Sequence, residues 1–257
     1  MNLTVATWNV NSLRVRLPHL AEWLAANPVD VVGLQETKIP DDDFPRAEIE
    51  ALGMQVAYSG QRTYNGVAIM ARPGLDDVVA GIPGFVDEQK RVLAATVSGV
   101  RVIDVYVPNG QEVGSDKYAY KLGWLEALRG YVAAELARHP RLVVLGDFNI
   151  APEDRDVHDP KAWEGSVHVS EPERAALRAL QATGLSDCFR LFEQPEKSYS
   201  WWDYRKMAFR RNAGLRIDLI LASAELAGKC AESRIDREPR RLERPSDHTP
   251  VLARFDI

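Results

Sequence analysis

The chain has 257 residues, 46% of them hydrophobic, and its 32 basic and 37 acidic side chains leave a net charge of −5 at pH 7. That suffices for one large core or two small ones and argues against a simple polyanion binder. The apolar runs are too short to span a bilayer, and residues 1–30 lack a secretory leader pattern. Cys188 and Cys230 offer no disulfide framework, so a reducing cytosol is expected.

In chain order, Leu3–Trp8 reads as a buried strand that ends in Asn9-Val10-Asn11. Leu13, Leu17, Leu20 and Leu24 then recur at helical spacing, with Ser12 as N-cap and Pro28 as stop. Val29–Leu34 is a second strand emptying into Gln35-Glu36-Thr37, and Gly66–Ala71 and Arg91–Val97 are two more. Val100–Val107 carries Tyr106 and is followed by Pro108-Asn109. Lys117 to Arg138 is a long amphipathic helix with Leu122, Leu125, Leu128, Val132 and Leu136 inward. Leu142–Leu145 is a short β-branched-rich strand leading into Gly146-Asp147-Phe148-Asn149. A helix over Glu171 to Ala182 is opened by Pro172 and closed by Gly184. Leu215–Leu221 holds Asp218 in an otherwise apolar strand, and Pro245-Ser246-Asp247-His248 leads into the run Pro250–Phe255. No linker or internal repeat divides these elements, which predicts one α/β domain over 1–257. Several strands are joined by short non-helical links, so the sheets are mixed and a TIM barrel is excluded.

Asp and Asn are ordinary turn residues, and a single such strand end would carry little. Six strand-like segments, however, deliver carboxylate, carboxamide, phenol or imidazole groups at or near an end. That recurrence predicts a single polar mouth at one rim of a sheet core. Glu36, Asp147 and Asp247 are hard oxygen donors, Asn9 adds a neutral oxygen, and no Cys/His cluster competes. The set suits Mg2+, with Mn2+ as a substitute, and not a structural zinc. Asp218 and His248 form the expected acid–imidazole pair, which would favour a cationic ring able to stabilise charge on a phosphate. Asp147 is the candidate to orient and deprotonate water. Asn149 is placed to hold a phosphate oxygen, and Tyr106 to bond the phosphoryl group. With no nucleophile elbow and no phosphate loop, metal-assisted attack of water on a phosphoester is the chemistry expected.

Arg205, Lys206, Arg210, Arg211 and Arg216 follow one another with no acid between them. The stretch reads either as a phosphate-tracking stripe or as a solvated loop.

These motifs, in this order, resemble the exonuclease III family of apurinic/apyrimidinic endonucleases. The likeness rests on Thr7-Trp8-Asn9-Val10-Asn11-Ser12-Leu13-Arg14, Leu34-Gln35-Glu36-Thr37-Lys38 and Tyr106-Val107-Pro108-Asn109-Gly110. It continues through Gly146-Asp147-Phe148-Asn149-Ile150, Ser200-Trp201-Trp202-Asp203-Tyr204-Arg205, Gly214-Leu215-Arg216-Ile217-Asp218 and Ser246-Asp247-His248-Thr249-Pro250. The resemblance implies a DNase I-like four-layered α/β sandwich, two packed mixed β-sheets flanked by helices. It implies a Mg2+-dependent DNA repair nuclease that cuts 5′ to abasic sites in double-stranded DNA, trims 3′-blocked ends and degrades duplex from 3′ ends. It makes Glu36, with Asn9 and Asp247, the metal site. Asp147 becomes the water-activating or leaving-group acid, Tyr106, Asn109 and Asn149 the phosphate site, and Asp218 with His248 the dyad. Trp201, Leu215 and Ile217 would form an apolar slot for a flipped abasic sugar, one of Trp201 and Trp202 doing only core packing. Arg91, Lys117 and Arg216 would contact the DNA backbone. Asn109 stands where some members carry Gln. The segment Ala151–Ser170, with His158, Asp159 and His168, is read as a solvated loop or as a device tuning 3′-end processing against abasic incision. A cytoplasmic, nucleoid-associated monomer with no membrane contact is implied. The alternatives are a Mg2+-dependent phosphatase of the same fold acting on inositol phosphates or sphingolipids, and a non-catalytic DNA-binding module.

Overall fold

A computed structural model describes residues 2–257. Its strands are β1 (Asn2–Asn9), β2 (Val31–Gln35), β3 (Gln55–Ser59), β4 (Val67–Ala71), β5 (Asp76–Ala80) and β6 (Val92–Val97). They continue as β7 (Val100–Tyr106), β8 (Leu142–Asp147), β9 (Leu185–Asp187), β10 (Asp218–Ser223), β11 (Cys230–Ile235) and β12 (Val251–Asp256). The helices are α1 (Leu13–Ala26), α2 (Arg46–Glu50), α3 (Asp116–Arg138), α4 (Pro160–Trp163), α5 (Glu171–Gln181) and α6 (Ala224–Ala227).

The strands form two six-stranded sheets, ordered β11-β12-β1-β2-β4-β3 and β5-β6-β7-β8-β10-β9. Both are mixed: β1 runs parallel to β2 and antiparallel to β12, while β8 runs parallel to β7 and antiparallel to β10. Alternation along β8 shows why its sequence is continuously apolar. Val143 and Leu145 point between the sheets and join Val5, Val31, Ile69 and Ile220 in one core. Leu142 and Val144 point the other way, onto Trp124, Leu125 and Leu128 of α3 and Leu177 and Leu180 of α5. Both faces are covered, so both must be apolar. On the first sheet, Leu13, Leu20, Trp23 and Leu24 of α1 cover Val32 and Leu34 in the same way. The result is the four-layered sandwich that the resemblance implies. No helix among the described residues is long and apolar enough to cross a membrane.

Some local expectations change. Ser12 does not cap α1: its φ is 88° and its side chain makes no cap bond. Ser115 does cap α3, its Oγ accepting the Tyr118 amide at 3.2 Å. The strand expected from Leu215 begins only at Asp218, because Leu215 leaves the ladder for isolated bridges to Val157 and Trp201. At the end of β8, a Cβ on Gly146 would lie 1.9 Å from the carbonyl oxygen of Val105, so glycine is required where β8 presses on β7.

Candidate active site

Strand pairing brings three of the expected groups into one row. Tyr106 on β7 is the partner of Asp147 on β8, and Asp147 is the partner of Asp218 on β10. Partners in register point to the same face, here the gap between the sheets at its rim. The opposite sheet supplies Asn9 at the end of β1 and Glu36 just past β2. Glu36 sits at φ 52°, a left-handed conformation uncommon for a residue other than glycine.

The carboxamide of Asn9 spans the two sheets. Its Nδ2 donates to Glu36 Oε1 at 2.8 Å and to Asp147 Oδ2 at 2.9 Å, while Oδ1 accepts the Asn11 amide at 3.0 Å. A backbone N–H needs an acceptor, which fixes the orientation of that carboxamide. Asn9 therefore holds the two carboxylates at a fixed spacing, with its Oδ1 turned to the Asn11 backbone. Lys38 pairs with Glu36 Oε2 at 2.9 Å and donates to Asn11 Oδ1 at 2.5 Å.

Asp218 and His248 form the expected dyad, with His248 Nδ1 2.9 Å from Asp218 Oδ2. The far ring nitrogen, Nε2, lies 3.7 Å from Asp147 Oδ2. Burial opposes a charged imidazole here. Asp218 and then Asp147 outweigh it and push the His248 pKa up to about 10. Burial works on Asp147 in the opposite sense, and despite His248 its carboxyl is raised to about 7. Ser200 Oγ, to which the sequence alone gives no role, accepts the amides of both Ile217 and Asp218 at 3.1 Å and so starts β10 in register. Ser246 Oγ, likewise unassigned, donates to the carbonyl of Asn9 at 2.7 Å and ties the His248 loop to β1.

Ligand atoms of Glu36, Asp147 and His248 all lie within 4.8 Å of one another. Asp247 accepts the side-chain carboxamide Nδ2 of Asn11 at 2.9 Å and the Trp201 indole N–H at 3.0 Å, one on each oxygen. Burial penalises the charged form of Asp247, but His248, Asn11 and Trp201 together hold its pKa below the ordinary value.

Asn149 also differs from expectation. Its Nδ2 donates to the Val107 carbonyl at 3.0 Å and to Asp147 Oδ2 at 3.3 Å, and its backbone amide to Asp147 Oδ1 at 2.9 Å. Both carboxamide hydrogens are spent, so Asn149 orients Asp147 instead of offering an N–H to a phosphate. Asn109 is exposed, with Oδ1 accepting the Gln111 amide and Nδ2 3.4 Å from His168 Nε2. Burial, with the Glu36 and Asp147 carboxylates nearby, keeps the Tyr106 phenol protonated far beyond neutral pH.

Around the expected sugar slot, Trp201 remains partly exposed, while Leu215 and Ile217 are enclosed with Ala151, Val157 and Val169. Trp163 of α4, which no sequence signal singled out, stands edge-on to Trp201 with ring centres 6.5 Å apart. Trp202 is fully buried against Phe209 and does the packing expected of one of the pair.

Two of the three expected DNA-backbone cations are committed elsewhere. Arg216 is 1% exposed and held by Asp156 at 2.7 Å and Asp187 at 2.8 Å. A guanidinium enclosed by two carboxylates is a structural group, and that expectation is corrected. Arg91, 9% exposed, lies over the Tyr106 ring at 4.6 Å and bonds Gln89 and the Tyr106 carbonyl. It supports Tyr106 in place of a phosphate. Lys117 is exposed on the first turn of α3, as a backbone contact requires. In the basic stretch, Arg205 and Lys206 lie on an exposed 3-10 turn, so the stripe is split between surface and interior.

The sequence matches the "Endonuclease/Exonuclease/phosphatase family" over residues 6–248. It is 34% identical over 262 residues to exodeoxyribonuclease III of Haemophilus influenzae, covering 97% of this chain and 98% of that protein. A 3′ phosphatase from Neisseria, solved with a product DNA hairpin, superposes with a TM-score of 0.97 at 48% identity, covering 99% of this chain and all of that one. An AP endonuclease from Archaeoglobus fulgidus superposes with a TM-score of 0.96 at 39% identity, covering 99% of this chain and 100% of the other.

Proposed function

The chain belongs to the endonuclease/exonuclease/phosphatase family, and on that footing we propose that it is a Mg2+-dependent DNA repair nuclease acting on duplex DNA. It removes phosphoryl groups and nucleotides from 3′ ends and cuts 5′ to abasic sites. The first activity is placed first because the 3′ phosphatase relative is more similar, 48% against 39% for the AP endonuclease. It works as one domain in the cytoplasm, a reading supported by free thiols at Cys188 and Cys230 and by relatedness to bacterial exodeoxyribonucleases.

The observation that carries the proposal is the meeting of Glu36, Asp147 and the Asp218–His248 dyad at one rim. The donor set fits a hard divalent cation: two carboxylate groups without a thiolate, bridged by Asn9. His248, protonated by its dyad, is no ligand, so Glu36 would hold the ion beside Asp147, which is left for proton work. When bound it supplies Lewis-acid polarisation of a phosphoryl oxygen.

The side chains do the rest. The His248 imidazolium carries its Nε2 proton toward the space beside Asp147, where a phosphate oxygen gaining charge can accept it. Asp147, its carboxyl raised to about 7, can take a proton from water near neutral pH. Asn9 and Asn149 fix the direction of its oxygens. The protonated Tyr106 hydroxyl is a donor beside the Glu36 and Asp147 carboxylates.

The test compares one labelled duplex carrying a 3′-phosphate, a plain recessed 3′ end or an abasic analogue, with Mg2+ and with excess chelator. Metal-dependent hydrolysis, fastest at 3′ ends, is expected. Hydrolysis that persists undiminished in chelator sinks the proposal.

A further inference from the structure

One buried ion pair lies beneath the site and takes no part in the steps above. Lys121 of α3 and Glu173 of α5 are both 0% exposed and 2.5 Å apart. The ammonium has three N–H groups, and each finds a different acceptor. One is Glu173 Oε1; the others are the backbone carbonyls of Asn109, at 3.1 Å, and Asn149, at 2.7 Å. Those residues begin the loops that follow β7 and β8, on either side of Asp147. Glu173 is itself saturated: it accepts the backbone amides of His168 at 3.0 Å and Ser170 at 3.3 Å, and the Ser170 hydroxyl. The loop after Asn109 is shaped to the lysine stem, since a Cβ on Gly110, at φ +90°, would lie 3.0 Å from Lys121 Cδ.

His168 completes the arrangement. Its Nδ1 is 2.6 Å from the Asn149 carbonyl, which can only accept, so Nδ1 carries the proton and Nε2 is the bare nitrogen. That nitrogen can then accept from the Asn109 carboxamide. A buried ion pair is weak evidence for stability, because desolvation offsets attraction. What an apolar pair of equal volume could not do is hold two carbonyls from separate loops at one point.

We propose that Lys121, anchored by Glu173, is a positioning residue that sets the Asn109 and Asn149 loops around Asp147. It rests on the phosphoester hydrolysis proposed above. The clamp acts on turnover: displaced loops misdirect the carboxylate while the DNA-binding surface stays in place.

The test uses the full chain, Mg2+ and a duplex with a recessed 3′-phosphate. Wild type, Lys121→Met and the double variant Lys121→Met/Glu173→Met are compared by kcat, KM and thermal unfolding midpoint. Apolar replacement of both partners is expected to preserve the fold. In both variants kcat is expected to fall about 10- to 100-fold, with KM within roughly twofold of wild type, the range seen when outer-sphere support of a site is lost. A double variant with wild-type kcat overturns the proposal, since the pair would then serve stability alone. A double variant that does not fold overturns it too, because the pair would be a requirement of the fold. Wild type inactive with Mg2+ on this duplex would instead strike the functional reading, and the clamp would fall with it.

Discussion

Asp147 and Asp218 face each other directly across the β8–β10 ladder, both in the interior, at 1% and 0% exposure. Like charges so placed repel. His248 is the compensating charge, 2.9 Å from Asp218 and 3.7 Å from Asp147. The dyad therefore does two jobs: it makes a carboxylate row tolerable, and it keeps a proton on Nε2 at neutral pH.

Removing Asp218 separates the two. In Asp218→Asn the main support of the His248 charge is lost, and the imidazole pKa should drop from about 10 toward the ordinary value, read by NMR titration. At pH 8 the variant ring is then neutral, and hydrolysis of a 3′-phosphate should slow by about 100- to 1000-fold. The loss should shrink as pH is lowered and the ring regains its proton. A variant whose imidazole still titrates near the wild-type value would detach Asp218 from this role.

Asp147→Asn keeps the shape and an oxygen that can accept from Asn9 while removing the proton acceptor. Turnover should fall by about 100- to 10,000-fold, the usual contribution of a positioned base, with duplex affinity nearly unchanged by fluorescence anisotropy. In wild type, kcat/KM should rise with pH as Asp147 ionises, on a limb starting from about 7 and moved lower by bound metal. The limb should vanish in the variant. Wild-type turnover by Asp147→Asn would remove this residue from the chemistry.

The layers of the fold and the gathering of the site were legible in the sequence for one reason. The central strands are covered on both faces, which makes them unbroken apolar runs, so the first polar residue past each run marks a strand end. Leu142–Leu145 followed by Asp147 is the clearest case. Edge strands gave no such signal: β5 is mostly exposed and β11 only half-buried, and their sequences are correspondingly polar. Roles that depend on which atom faces where were not legible either. The sequence places Asn9, Asn149 and Asp247 at the site but says nothing of amide orientation or of the indole and amide donors around Asp247. Arg216 misled because a basic stretch looks the same whether it tracks phosphate or enters the core. Its partners, Asp156 and Asp187, are 60 and 29 residues away in the chain.

The correction for Arg216 separates it experimentally from Lys117. Arg216→Met leaves Asp156 with Arg190 as its one cation and strips Asp187 of its ion-pair partner, and should cost about 3–5 kcal/mol in urea unfolding. It should leave the salt dependence of DNA binding unchanged. Lys117→Ala should do the reverse, with wild-type stability and a slope of log K against log salt reduced by about one unit. An Arg216→Met protein of full stability and flattened slope would restore the backbone-contact assignment.

His168 makes a separate claim about stability. Burial, with Lys121 adding to it, pushes its pKa down to about 3. In the unfolded chain it titrates near 6.5. Between those limits the unfolded state binds a proton that the folded state refuses, so stability is complete above pH 6.5 and is lost on acidification toward pH 3. His248 acts in the opposite direction: its folded pKa is raised, so its contribution is complete below 6.5 and fades as pH climbs through about 10. An acid-side slope therefore cannot come from His248. Urea unfolding at pH 7, 6 and 5 should show a wild-type slope steeper than that of His168→Gln by up to about 1.4 kcal/mol per pH unit, one proton's worth. Equal slopes would mean that the folded protein accepts the proton. The hydrogen bond from Nδ1 to Asn149 would survive that, but Nε2 could no longer accept from Asn109, and one end of the loop arrangement beside Asp147 would come loose in acid.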